Sequence, residues 1–141
     1  MAAKRATDQG PFSSDLQNLS IRIDSGGVAI EQSEQSYQWK YQIVSGKKNC
    51  RIRHKKSSAG WEIISEKRDK SGSECRVNWA LSVPKLKKFV IHGGLVDIKI
   101  KKLHAPTYVD LGQGQVMMEK TNGALTINGG SCEIQAIDMI G

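Results

Sequence analysis

The chain has 141 residues, of which 38% are hydrophobic and 25% are charged; this is enough for one core and excludes a largely disordered chain. Lys and Arg number 21 against 14 Asp and Glu, and the net charge of +7 suits acidic polymers as partners, although a basic surface without a ligand is favoured over any specific partner. The sequence contains no apolar run of the roughly 18 residues that a membrane-spanning helix requires.

The N-terminal end is polar and lacks apolar periodicity. Residues 1–15 are therefore predicted to form a flexible arm, and the arm lacks the apolar centre of a secretory signal peptide. No later stretch has the composition of a linker, so residues 16–141 are predicted to form a single domain.

Alternation of apolar and polar residues predicts strands over the first half of that domain. It runs through Leu19 to Ile23, through Tyr37 to Ile43 and through Cys75 to Val83, where Pro84 ends the longest run. The second run has an aromatic face that suits stacking on sugars or bases, but a place in the core is favoured because large aromatics dominate core burial. No segment shows a helical period, so this part is predicted to be an antiparallel meander.

A short pattern recurs between Phe89 and Ile137. Aligned on Gly94, Gly114 and Gly130, each copy has an aliphatic residue three positions earlier, Val or Cys two positions later and Ile or Met four positions later. A fourth copy surrounds Gly26. Each glycine is predicted to mark a turn. Units this small bury their apolar faces only by stacking, which predicts the successive coils of a β-helix, or solenoid.

The strand that ends in the Val83-Pro84 corner, followed by coils of the form Gly-x-Val-x-Ile, resembles the bacterial putative adhesin family of the auto-transporter adhesin "head GIN" type. The resemblance covers about residues 16–137. It implies an all-β fold in which antiparallel strands lead into a β-helix, together with a non-enzymatic binding role at a bacterial cell envelope. No signal peptide is visible, so the sequence leaves a cytoplasmic location open.

Cys50 and Cys75 both fall on the apolar register of their predicted strands. A bridge between them would close a segment of 75−50 = 25 residues and would contribute about 3 kcal/mol through loop entropy. Two buried thiols are the alternative, and the envelope location implied by the resemblance favours the bridge. Cys132 is predicted to be a small core residue.

The sequence predicts neither an enzyme nor a metal or cofactor site. His54, His92 and His104 lie in separate segments, and none has a nucleophile and a carboxylate beside it. Metal-ligand spacings of the CxxC, HxH or HExxH kind are absent from the sequence, and its glycine-rich turns open strands rather than the helices that bind phosphate.

Two basic stripes are the candidate binding residues. Arg51, Arg53 and Lys55 share one strand face, and Lys99 and Lys101 share another. Alternate strand residues are spaced about 6.6 Å apart, near the spacing of acidic groups along a nucleic acid, so an anionic envelope polymer or glycan is a suitable ligand. A structural role is favoured over ligand binding, because lysine on exposed strands also prevents aggregation between sheet edges.

Two other functions stay open. The open ends of a β-helix would leave backbone groups unpaired, which predicts a self-assembling scaffold and a homo-oligomer. A nucleic-acid-binding protein driven by charge is less favoured, because the sequence contains no recognised nucleic-acid-binding motif.

Overall fold

A computed structural model describes residues 7–56, 60–72 and 74–137, and strands make up most of these ranges. None of the described residues forms a helix of the length and apolarity needed to cross a membrane. The predicted all-β class is confirmed. The described elements are β1 (Thr7–Pro11), β2 (Asn18–Gln32), β3 (Gln38–Ser45), a 3-10 turn (Lys47–Asn49), β4 (Cys50–Lys56), β5 (Gly60–Lys67), β6 (Arg76–Val83), β7 (Lys88–Lys101), β8 (Thr107–Glu119) and β9 (Leu125–Ile137).

The strands form one mixed, open sheet centred on β2. β7 pairs along the whole of one side of β2, while β5 and β6 pair with successive halves of its other side, all three in parallel. β8 and β9 continue the parallel stack beyond β7. Antiparallel pairing, which was predicted for this half of the chain in general, occurs in β1–β3, β3–β6 and β4–β5, but β3 pairs with neither β2 nor β4, as a meander would require. The first half of the chain is therefore not a simple meander, because β2 is occupied by parallel partners.

The stacked strands have a regular register that differs from the predicted alignment. Phe89 lies opposite Thr107, and Thr107 lies opposite Leu125, so the offset is 107−89 = 18 and 125−107 = 18 residues. Gly114 lies opposite Val96 and Cys132, not opposite Gly94 and Gly130. Gly26 also lies opposite Val96. The glycine alignment was shifted by two residues, a shift that leaves every side chain on the same face and that alternation therefore does not reveal.

Each long strand changes its buried positions near its middle. In β7 odd-numbered residues are buried before Gly94 and even-numbered residues are buried after it. β2 and β8 show the same change. A flat strand would bury either its odd-numbered or its even-numbered residues throughout. The change therefore turns both halves of each strand toward a single core. The buried residues of β7 are Phe89, Ile91, Val96, Ile98 and Ile100.

Two groups of strands extend from β2 and close over the core. β5 and β4 extend from its first half, and β6, β3 and β1 extend from its second half. The aromatic row of β3 packs against β4 of the other group, with Tyr41 buried and the Trp39 ring centroid 4.4 Å from that of His54. The row is thus mainly core, as its alternation favoured.

A disulfide joins the two groups of strands, near the start of β4 in one group and of β6 in the other. Cys50 begins β4 and Cys75 precedes β6, and their Sγ atoms are 2.04 Å apart. Both residues are buried. The link therefore fixes the start of one group of strands against the start of the other.

Part of the predicted N-terminal arm is ordered. Thr7–Pro11 pairs antiparallel with β3, and Phe12 is buried against Trp61 with ring centroids 5.3 Å apart. Residues 1–6 lie outside the described residues. The strand was missed because Thr7–Pro11 is polar and ends in proline, so its sequence lacks the apolar alternation that marks a half-buried strand.

The last strand is covered less well than its neighbours. Ile134 is 50% exposed, whereas Val116, which lies opposite it on β8, is 1% exposed. Cys132 is only partly buried, although a core position was expected for it. Within the described residues no further strand pairs with the outer side of β9, so its core-side positions are packed from one side only.

Candidate functional site

A concave surface lies on the outer face of the sheet, across β3, β6, β2 and β7. Its volume is about 590 Å³, and a second depression of about 290 Å³ continues it along the strands. Its floor consists of Gly27, Ala29 and Ala80, whose side chains leave the backbone uncovered. We call this surface the groove. It exists because small residues occupy outward positions on the two central strands, while longer side chains occupy the strands on either side.

Two lysines face each other across the floor. The pairing register places Lys40, Ala80, Ala29 and Lys99 in one row across the four strands. Three interstrand steps of about 4.8 Å separate the outer two, so their Cα atoms are about 14 Å apart. Neither lysine makes an ion pair with any residue in the described ranges. Both ammonium groups are therefore available to a ligand.

The groove carries an excess of positive charge. Its two depressions are lined by four basic side chains, from Lys40, Arg76, Lys99 and Lys101, and by two acidic ones, from Glu31 and Asp97. The acidic groups compensate only in part, since the Lys101 Nζ to Glu31 Oε2 distance is 3.8 Å and both side chains are exposed. An exposed pair of this length is weak, and Lys101 remains able to exchange Glu31 for a ligand anion.

The structure separates the two predicted basic stripes. Lys99 and Lys101 line the groove. Arg51 and Arg53 lie on β4, where Glu66 on the neighbouring strand is 4.0 Å and 2.9 Å away from their guanidinium nitrogens. Lys55 is exposed on the same strand. The arginines are thus neutralised in part by a local carboxylate, which makes them weaker candidates for an anionic ligand.

Sequence reasoning missed Lys40 and the small residues of the floor. Lys40 occupies an outward position in the alternation of β3, and that signal is present in the sequence. Its position opposite Ala80, however, depends on pairing between β3 and β6, which are far apart in the chain. Local pattern does not specify such a register, so the groove could not be assembled from the sequence.

The histidines occupy separate places. His54 joins the aromatic cluster, His92 lies on the outer face of β7 and His104 lies in the turn after β7. His, Cys, Asp and Glu form no group of three suited to a metal ion anywhere in the described ranges.

The environment of His54 favours its neutral form. Its Nδ1 accepts a hydrogen bond of 3.2 Å from Trp61 Nε1, which requires that nitrogen to be unprotonated. The rings of Trp39 and Trp79 lie beside it. Burial lowers the pKa of His54 from its ordinary value of 6.5, and the nearby carboxylate of Asp8 opposes this in part.

We therefore expect stability to fall as the pH drops below about 6.5. Below its ordinary pKa, His54 binds a proton more readily in the unfolded chain than in the folded chain. The free energy of unfolding is therefore highest above the unfolded-state pKa, and it decreases as the pH falls toward the lower pKa of the folded state. Urea unfolding between pH 7.5 and 5 measures the effect. His54→Phe keeps a ring beside Trp39 and should flatten the profile; an unchanged slope would show that other groups cause it.

Comparison with known proteins supports the fold. The sequence matches no family model and no curated protein. A "putative cell adhesion protein" from Clostridium sporogenes is similar in structure, with a TM-score of 0.54 and 9% identity over 95% of this chain and 99% of that one. A "putative adhesin" from Parabacteroides merdae gives a TM-score of 0.41 and 11% identity over 94% and 75% of the two chains. At this level the first likeness supports an adhesin-like fold and nothing beyond the fold.

Proposed function

We propose that this chain is a non-enzymatic binding module of a bacterial envelope or surface, and that its groove holds an anionic polymer. In this proposal the four parallel strands are successive coils of a short β-helix, which presents outward side chains at fixed spacing. The observation that carries the proposal is the position of two lysines, Lys40 and Lys99, on opposite sides of a floor of Gly and Ala, neither of which forms an ion pair with another described residue.

The shape of the groove fits a slender chain lying along the strands. Its floor offers backbone and methyl groups, so a flat or narrow ligand body approaches closely while the flanking ammonium groups reach its acidic substituents. Lys99 and Lys101 repeat along one side at about 6.6 Å, the spacing of alternate strand residues. A polymer with regularly spaced sulfate, phosphate or carboxylate groups satisfies both sides.

The arrangement favours binding over catalysis. The groove does not bring together an acid and a base of the kind that cleaves polysaccharides. The pairing register places Glu31 opposite Lys101, four residues beyond Asp97, so the two acidic residues lie about 13 Å apart along the strands. The Clostridium sporogenes protein of similar fold is described as a "putative cell adhesion protein", which is consistent with a binding module.

Removing the two facing lysines tests the proposal. Lys40→Gln combined with Lys99→Gln should weaken binding of dextran sulfate about tenfold at low salt and should reduce the slope of log K against log salt by about 1 to 2, since two charge contacts disappear. Titration calorimetry between 20 and 200 mM NaCl measures both quantities. Neutral dextran should not bind to either protein.

A matched variant controls for net charge. Arg51→Gln combined with Arg53→Gln removes an equal number of positive charges, but from β4. We expect the affinity for dextran sulfate to change less than threefold. Equal losses in the two double variants would show that only the overall charge matters and would rule out the groove. Tighter binding to single-stranded DNA than to dextran sulfate would favour the nucleic-acid alternative.

A further inference from the structure

A separate depression lies away from the groove, on the outer face of the first halves of β7, β8 and β9. Its volume is about 280 Å³. The pairing register builds it from two adjacent rows, each with one residue from every strand. The first row is Val90, Tyr108 and Thr126, and the second row is His92, Asp110 and Asn128.

Tyr108 is the unusual member of this surface. Its side chain is 43% exposed, although a large aromatic on a sheet normally packs against neighbours. Val90 and Thr126, which flank it, are too short to cover the ring. The only described group over its face is the Lys88 ammonium, 5.2 Å from the ring centroid. Because lysine has a flexible stem, a ligand can displace it and reach the flat face of the ring.

The polar groups beside the ring are mixed in kind. Asp110 offers a carboxylate, and Asn128, opposite it on β9, offers both a hydrogen-bond donor and an acceptor. His92 Nδ1 lies 3.4 Å from Asp110 Oδ2, and this contact holds the Asp110 side chain in place. The Asp110 carboxylate and the Lys88 ammonium have opposite charges. The carboxylate would repel a strongly anionic ligand, and the ammonium would repel a cationic one.

The exposed ring face lies beside one neutral hydrogen-bonding group and two groups of opposite charge that compensate each other. This combination suits a neutral ring that carries several hydroxyl groups. The apolar face of a sugar would stack on Tyr108, and its hydroxyl groups would exchange donors and acceptors with Asp110 and Asn128. The volume lies just below the roughly 300–1,000 Å³ of pockets for larger ligands, which suits a single sugar residue. We propose that the surface around Tyr108 binds a single ring of a neutral saccharide.

The open form of the depression sets the expected affinity. A monosaccharide of about a dozen heavy atoms that is covered on one side should bind with a dissociation constant on the order of a few millimolar. Titration of the full chain with glucose, galactose, mannose and N-acetylglucosamine, followed by amide chemical shifts, reaches this range. We expect saturable shifts for at least one of these sugars, confined to the first halves of β7, β8 and β9.

Two substitutions separate stacking from general apolarity. Tyr108→Phe keeps the flat ring and should bind within about twofold of the parent chain. Tyr108→Leu keeps an apolar side chain without a flat face and should weaken binding at least fivefold. Val44→Leu alters another exposed apolar residue, on β3, and should have no effect on the titration. Thermal unfolding verifies that each variant is folded.

The outcomes that overturn the proposal are definite. Absence of saturable shifts with all four sugars, equal binding by the Tyr108→Leu variant, or tighter binding of glucuronate than of glucose would each reject it. Lys40→Gln combined with Lys99→Gln should leave the titration unchanged, because the groove lies on the second halves of the strands. Failure at the groove and failure at this surface are therefore seen independently.

Discussion

Reduction of the Cys50–Cys75 disulfide is expected to lower the free energy of unfolding by about 3 kcal/mol, because the bridge restricts a loop of 25 residues in the unfolded chain. The loop contains β4 and β5, so the reduced chain must order this antiparallel pair of strands against β2 without a covalent tie. This amount is a large part of the stability of an ordinary domain. The group formed by β4 and β5 should therefore be the first part of the reduced protein to open.

Urea unfolding with and without dithiothreitol measures this loss. Cys50→Ala combined with Cys75→Ala should show a loss at least as large, since it also removes two buried sulfur atoms, and it should no longer respond to the reductant. Cys132→Ser is the control, because Cys132 is free and only partly buried. If the reductant leaves the midpoint of the parent chain unchanged, the two cysteines are thiols in solution or the loop contributes little.

The sequence predicted the elements of this fold better than their arrangement. Alternation identified the strand class and most inward positions, because side-chain direction depends only on the local two-residue period. Pairing depends on contacts between residues far apart, such as Gly26 opposite Val77 and Val96. The two-residue shift in the predicted glycine alignment shows the limit, since both alignments bury Val116 and Met118. Only the contacts between strands decide between them.

The same limit applies to the groove. Lys99 and Lys101 were recognised as a basic stripe, because they belong to one strand and their spacing is local. Lys40 was not joined to them, since it becomes their neighbour across the groove only after β6 and β2 are inserted between β3 and β7. Glu66, which neutralises Arg53, comes from a different strand for the same reason. Charge patterns within one strand therefore predict candidates, while sheet order selects among them.

Gly26→Ala is expected to be among the most damaging single substitutions in the described part of the chain. Gly26 has φ 139°, a conformation that residues with a side chain rarely adopt. A Cβ atom there would lie 1.8 Å from the backbone carbonyl oxygen of Val77, the residue opposite it on β6. Relief requires β2 and β6 to separate at the point where β2 turns around the core, so we expect a loss of about 4 kcal/mol or more.

Gly27→Ala is the matched control, since the adjacent glycine has no such restriction. Its added Cβ would meet the side-chain oxygen of Asn78 at 3.1 Å, and that exposed side chain can rotate away. We expect a change within about 1 kcal/mol, because the lower entropy of the unfolded chain offsets the contact. Urea unfolding of both variants at one pH gives the comparison. If the loss for Gly26→Ala were as small as that for Gly27→Ala, the backbone of β2 would relax freely at this point. The close pairing of β6 with β2 at Gly26 would then contribute little to the free energy of unfolding.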